Sequence, residues 1–152
     1  MYVTVQEYKD YASSIGLTLT ESDETLTTQL VGACQFIDSK EEQLKGKRSL
    51  RDQDNAYPRI DLIINSYPYT SSEIPDIVKK CEMELALEIN SGIDLYARTY
   101  ELPTIKERVE GAVEVGYATP SRVEPKERQS KALSLLNQLM VSRSISIPLV
   151  RV

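Results

Sequence analysis

The chain has 152 residues, with 23 acidic side chains, 18 basic ones and a net charge of −5. That length suits one domain with an arm or tail, and 41% hydrophobic residues can supply its core. The acidic balance disfavours wrapping nucleic acid, where Lys and Arg contacts to phosphate dominate, and the lack of any His removes Ser-His-Asp and Cys-His nucleophile systems.

The opening MYVTVQEYKDY has neither the basic n-region nor the apolar h-region of a signal peptide, which points to synthesis in the cytoplasm. Thr4 to Glu7 reads as a capping box, in which the Thr4 hydroxyl and the Glu7 carboxylate each take the other's backbone N–H. A short helix should run to about Ser13, before Gly16. Thr20 or Ser22 caps the next helix, with Asp23 and Glu24 in its first turn. Leu26, Leu30, Ala33, Ile37 and Leu44 then repeat at helical spacing to a stop at Gly46. Cys34 and Cys81 both fall in apolar stripes, so buried reduced thiols are expected rather than a disulfide, and two Cys without His make a poor zinc site.

From Lys47 to Tyr69 the periodicity dissolves. Arg48, Arg51 and Arg59 are interspersed with Asp52, Asp54 and Asp61, and two Tyr-Pro pairs, at Tyr57 and Tyr67, lie among them. A stretch of about 25 irregular residues inside a compact domain is often functional. Two readings stay open: a solvated surface loop, or a contact with a neighbouring subunit in which Arg59 pairs with a carboxylate. Either Tyr-Pro bond could be cis, with trans the ordinary expectation.

The central element is expected at about 75–90. Pro75 suits a first helical turn, Glu73 and Asp76 favour the positive end of the dipole, and Gly92 suits a left-handed residue just past the end. Ile74, Val78, Cys81, Leu85 and Ile89 form its apolar stripe, widened by Ile77, Met83, Ala86 and Leu87. A helix this apolar should be buried against several neighbours. Residues 104–119 read as a β-hairpin turning at Glu110-Gly111. A last helix is expected from about Lys126 to Val141 on Ala132, Leu135, Leu136, Leu139 and Met140. Lys126, Arg128 and Lys131 sit at its wrong end for the dipole, which suits solvent or an acidic neighbour. The remaining residues 142–152 alternate Ile145, Ile147 and Leu149 with Ser144, Ser146 and Pro148. Such a segment folds back as an edge strand or is held by a partner.

The fold class is therefore mainly α: a small helical bundle around the 75–90 helix, with a hairpin and an extended C-terminal tail. Residues 1–141 make the domain and 142–152 an interaction tail. No phosphate loop is present, because Gly46-Lys47 lacks an upstream glycine. Asp52, Asp54 and Asp61 lack the glycine and terminal Glu of a calcium loop. No enzyme activity, cofactor or metal is expected, and no apolar run approaches the about 20 residues of a membrane span.

One resemblance rests on the order of several short segments. These are Tyr2-Val3-Thr4, Gly46-Lys47-Arg48, Gln53, Tyr57-Pro58-Arg59, Ile74-Pro75, Glu84-Leu85-Ala86-Leu87, and the run from Lys106 to Tyr117 with Val109-Glu110-Gly111 inside it. Over about residues 2–141 the chain resembles the head–tail adaptor, or head completion, proteins of tailed bacteriophages. Relatives of these are often labelled DnaT-like single-stranded-DNA-binding proteins. The resemblance implies a subunit of a homo-oligomeric ring, commonly a dodecamer, beneath the portal in the virion neck. The ring would be made in the host cytoplasm, extend the channel for double-stranded DNA without binding it specifically, and dock a tail or stopper protein. Subunit or portal contacts are then expected at Arg48, Arg51, Tyr57 and Arg59 and at Ile145, Ile147, Leu149, Val150 and Arg151.

Two other readings stand beside it. Tyr57, Tyr67 and Tyr69 near Arg48, Arg51 and Arg59 could stack and clamp single-stranded DNA in a replication accessory protein. A helical interaction module of a host, with no virion role, is the third.

Overall fold

The computed structural model describes residues 1–97, 104–109, 113–117 and 130–141. The chain divides into two compact units, one of Met1–Leu95 with the chain from Lys131, the other of Tyr96–Ser130. The first is mainly helical: α1 (Val5–Ser14), α2 (Asp23–Asp38), α3 (Asp76–Asn90) and α4 (Lys131–Leu139).

Each helix follows from its local chemistry. Thr4 and Glu7 form the expected capping box on α1, which buries Tyr8 and Ala12. Ser22, not Thr20, caps α2 through the Thr25 N–H. α3 is the central helix, packed between α2 and α4, and Val78, Cys81, Leu85 and Ala86 are wholly buried along it. Gly32 on α2 permits the close crossing, since a Cβ there would stand 3.3 Å from the Ile89 side chain. Gly92 has φ +79°. Its N–H reaches the Ile89 carbonyl and the Ile93 N–H the Glu88 carbonyl, a Schellman ending. On α4, Ala132, Leu136 and Leu139 face the core and Leu135 is half-buried. Cys34 and Cys81 are buried free thiols, as their place in the apolar stripes predicts.

Three expectations are corrected. α2 stops at Asp38, well short of Gly46. The Ser39 hydroxyl turns back onto the Phe36 carbonyl at 2.7 Å, Glu41–Gln43 makes one tight turn, and Leu44 is buried by bridging Met140 at the end of α4 instead of extending the helix. Pro75 is the N-cap of α3 rather than its first helical residue, and Glu73 lies outside the helix. The Tyr57–Pro58 bond is cis.

The 47–69 segment is not structureless. β1 (Lys47–Arg48) pairs antiparallel with β2 (Arg59–Ile60), and β3 (Ile63–Ile64) with β4 (Tyr67–Pro68). Asn65 and Ser66, at φ 51° and 69°, join β3 to β4 in the two-residue geometry with both φ positive that matches strand twist.

The second unit contains the expected hairpin, β5 (Thr104–Val109) antiparallel to β6 (Val113–Tyr117), with Val109 opposite Val113 and an irregularity between Thr104 and Lys106. The Glu110-Gly111 turn, residues 126–129 and the 142–152 tail lie outside the described residues.

Candidate functional site

The 47–69 segment carries every described residue singled out above as a contact. Two arginines brace it from within. Arg59 is 4% exposed. Its Nε donates to the Lys45 carbonyl at 2.8 Å, Nη2 to Gly46 at 2.9 Å and Nη1 to Ala56 at 3.3 Å. A buried loop must satisfy its backbone carbonyls, and the planar five-donor fork of Arg does so at three places at once. Gly46 makes room for this: its φ is +76°, and an added Cβ would sit 2.6 Å from the Ile60 carbonyl oxygen.

Arg48 pairs through two nitrogens with Glu41 and donates Nη1 to the Gln53 carbonyl at 2.9 Å. The guanidinium holds the Glu41 carboxyl below the usual carboxylate range. Gln53 closes the tip: its amide nitrogen reaches the Asn55 and Pro58 carbonyls, and its oxygen takes the Leu50 N–H.

Tyr57 turns inward. Its ring meets that of Tyr2 edge-on at 5.9 Å, Arg59 lies over it at 5.9 Å, and burial pushes its phenol up. Behind it runs a polar network. The Tyr2 hydroxyl donates to Asp38 at 2.5 Å and accepts the Tyr57 N–H at 3.3 Å, and Asp38 also takes the Ala56 N–H at 2.9 Å. Glu82, wholly buried on α3, accepts the Tyr2 N–H at 2.9 and 3.1 Å. Burial pushes its carboxyl up to about 7, against the pull of the Tyr2 N–H. A second carboxylate on α3, Glu84, gathers the Tyr11 hydroxyl from α1 and the Lys131 ammonium from α4. Lys131 thus has an acidic neighbour, the less plain of the two expectations, while its side chain stays 62% exposed.

The structure therefore brings Arg48, Tyr57 and Arg59 together on the inner side of the loop, engaged with the chain's own backbone and carboxylates. Arg51 is exposed, and Ile145, Ile147, Leu149, Val150 and Arg151 lie outside the described residues. Sequence reasoning missed that the loop turns Leu50 and Ile63 outward, 70% and 56% exposed, whereas Tyr67, named above for stacking, is 73% exposed and Asp52, Asp54 and Asp61 are exposed as in a solvated loop. The signal for this hairpin was present in Asn65-Ser66 between two short apolar pairs. Among the described residues no group of Cys, Asp or Glu side chains is placed to hold a metal ion, and no helix is long and apolar enough to cross a membrane.

The sequence profile of one family, described as "Putative DnaT-like ssDNA binding protein", matches residues 1–152. No curated protein and no solved structure matches. The chain belongs to the DnaT-like single-stranded-DNA-binding protein family.

Proposed function

We propose that this chain is a structural subunit, without a catalytic centre, of the head–tail connector of a tailed bacteriophage. In this reading it forms a homo-oligomeric ring beneath the portal in the virion neck, extends the DNA channel and docks a tail or stopper protein. The observation that carries a protein-contact role is the inward engagement of Tyr57, Arg59 and Arg48. A stacking groove for DNA needs accessible aromatics beside accessible cations. Arg48 and Arg59 are spent on the chain's own groups, and the loop's exposed side chains mix Leu50, Ile63 and Tyr67 with charges of both signs, a composition that suits a protein contact. The adaptor identity itself rests on the order of the segments from Tyr2-Val3-Thr4 to Tyr117. The decisive measurement is the copy number relative to portal protein in purified virions, by quantitative mass spectrometry. A ratio near unity in the neck fraction supports the ring; absence from virions ends this reading.

The family's description favours a second reading, single-stranded DNA binding. The residues available for it are Tyr67 and the half-buried Tyr69, with Lys47 and Arg51 exposed nearby in the chain. It requires salt-sensitive binding of a labelled oligonucleotide that Tyr67→Ala and Arg51→Ala both weaken. An oligonucleotide that fails to bind at low salt would remove it.

A further inference from the structure

Residues 1–4 precede α1 without regular structure, yet Tyr2 and Val3 are buried. Their backbone lies against α3, where the Glu82 carboxylate takes the Tyr2 N–H with both oxygens and is drawn on by the Val3 N–H as well. The Tyr2 side chain reaches other elements. Its hydroxyl donates to Asp38 at the end of α2 and accepts the Tyr57 N–H of the 47–69 loop. One short segment thus covers a buried acid with its backbone and anchors the loop with its side chain.

Glu82 is wholly buried, and the groups that act on it come from three places. The covering segment supplies the two N–H groups and the N-terminal ammonium, α2 the like-charged Asp38 and the Cys34 thiol, and α3 itself Cys81. The buried cation of the loop, Arg59, is committed to the Lys45, Gly46 and Ala56 carbonyls, and Lys131 of α4 to Glu84. Burial outweighs the N–H groups and the ammonium, so the neutral acid is favoured. An ionised carboxylate in this place must stay desolvated or reach water. The cover that moves most easily is the segment of residues 1–4, which can lift without breaking a helix. Local opening at a chain terminus costs far less than global unfolding.

We propose that residues 1–4 are a strap that the neutral Glu82 carboxyl keeps closed and its ionisation opens, and that opening withdraws the Tyr2 hydroxyl from Asp38 and Tyr57 and loosens the 47–69 loop. The order of that loop is thereby coupled to a proton held on the central helix. The coupling acts whichever partner the loop meets, and it rests on neither functional reading.

The test is amide hydrogen exchange of the full, untagged chain, followed by NMR at pH 5, 6, 7 and 8 and corrected for intrinsic exchange rates. Protection of the Tyr2 and Tyr57 N–H groups should fall about tenfold or more across this range, and that of the N–H groups in the middle of α3 should fall less. Glu82→Gln should remove the dependence at both positions. Tyr2→Phe keeps the strap and its contact with Glu82 but lacks the hydroxyl. In that variant the N–H of residue 2 should still follow pH, and that of Tyr57 should not. Protection at Tyr2 that does not fall, or that falls no more than in α3, overturns the strap, and so does a profile that Glu82→Gln leaves unchanged. A Tyr57 N–H that still follows pH in Tyr2→Phe overturns the coupling to the loop.

Discussion

Glu82 holds the backbone N–H of Tyr2 with both carboxylate oxygens, at 2.9 and 3.1 Å, from a wholly buried position on α3. The start of the chain is thereby tied to the middle of the central helix. Tyr2 in turn carries Asp38 and the Tyr57 backbone, so one carboxyl group underpins the placing of the whole loop. Burial dominates its titration, raising the carboxyl against the pull of the Tyr2 N–H and of the N-terminal ammonium.

The first prediction concerns pH. The Glu82 carboxyl rises from 4.5 in the unfolded chain to about 7 in the folded one. The folded state thus holds a proton that the unfolded state releases across that window. By linkage, this site's contribution is full at low pH, and stability falls as pH rises through about 7, by up to about 3 kcal/mol. Denaturant titrations at pH 5, 6, 7 and 8 should show a slope that Glu82→Gln flattens. Parallel profiles for the two proteins would refute the assignment.

Arg59 should matter to folding more than its place in a charged loop suggests. Arg59→Ala leaves three carbonyls, of Lys45, Gly46 and Ala56, without their donor. Each such loss in a buried site costs about 1–3 kcal/mol, though not additively. A drop of about 3 kcal/mol or more is expected in urea, and Arg59→Lys should recover only part of it. Unchanged stability would place this side chain among the surface charges.

Two glycines with nearly the same backbone angle should respond differently to alanine. Gly92, at φ +79°, has open space where a Cβ would stand, so Gly92→Ala should cost about 1 kcal/mol of left-handed strain. Gly46, at φ +76°, adds a 2.6 Å clash with the Ile60 carbonyl. Its alanine variant should lose clearly more, about 2–4 kcal/mol. Thermal melts of the two proteins side by side make the comparison, and equal losses would contradict the close packing of β1 against β2.

Glu84 and Lys131 form an unequal pair. The Lys131 side chain is 62% exposed and that of Glu84 11%. Removing the lysine should cost about 0–1 kcal/mol. Glu84→Ala also deprives the Tyr11 hydroxyl of its acceptor and should cost about 1–3 kcal/mol. A double-mutant cycle separates the direct coupling from the shared tyrosine.

Much of the fold was legible because helix punctuation is local. Thr4 with Glu7, Ser22 and Gly92 each act within a turn of themselves, and each caps or closes its helix as expected. The end of α2 was not legible, because Leu44 continues the helical spacing while its burial comes from Met140, nearly a hundred residues away. Glu82 and Glu84 escaped notice for a related reason. Periodicity assigns carboxylates to solvent unless a distant partner is known, and their partners are Tyr2, Tyr11 and Lys131. In the loop, Tyr57 and Arg59 read as surface residues because nothing in the spacing reveals which backbone carbonyls need a donor. The residue types of the loop were informative; which way they point was decided by tertiary contacts.

The excursion between Leu95 and Lys131 leaves and rejoins a frame whose two roots are fixed independently, by the Schellman ending of α3 and by the Lys131–Glu84 pair. Doubling the length of a flexible connection costs only about 0.6 kcal/mol. The helical core therefore behaves as a chassis with a graft point. A change in length between these two roots should therefore leave the helices that hold them in place.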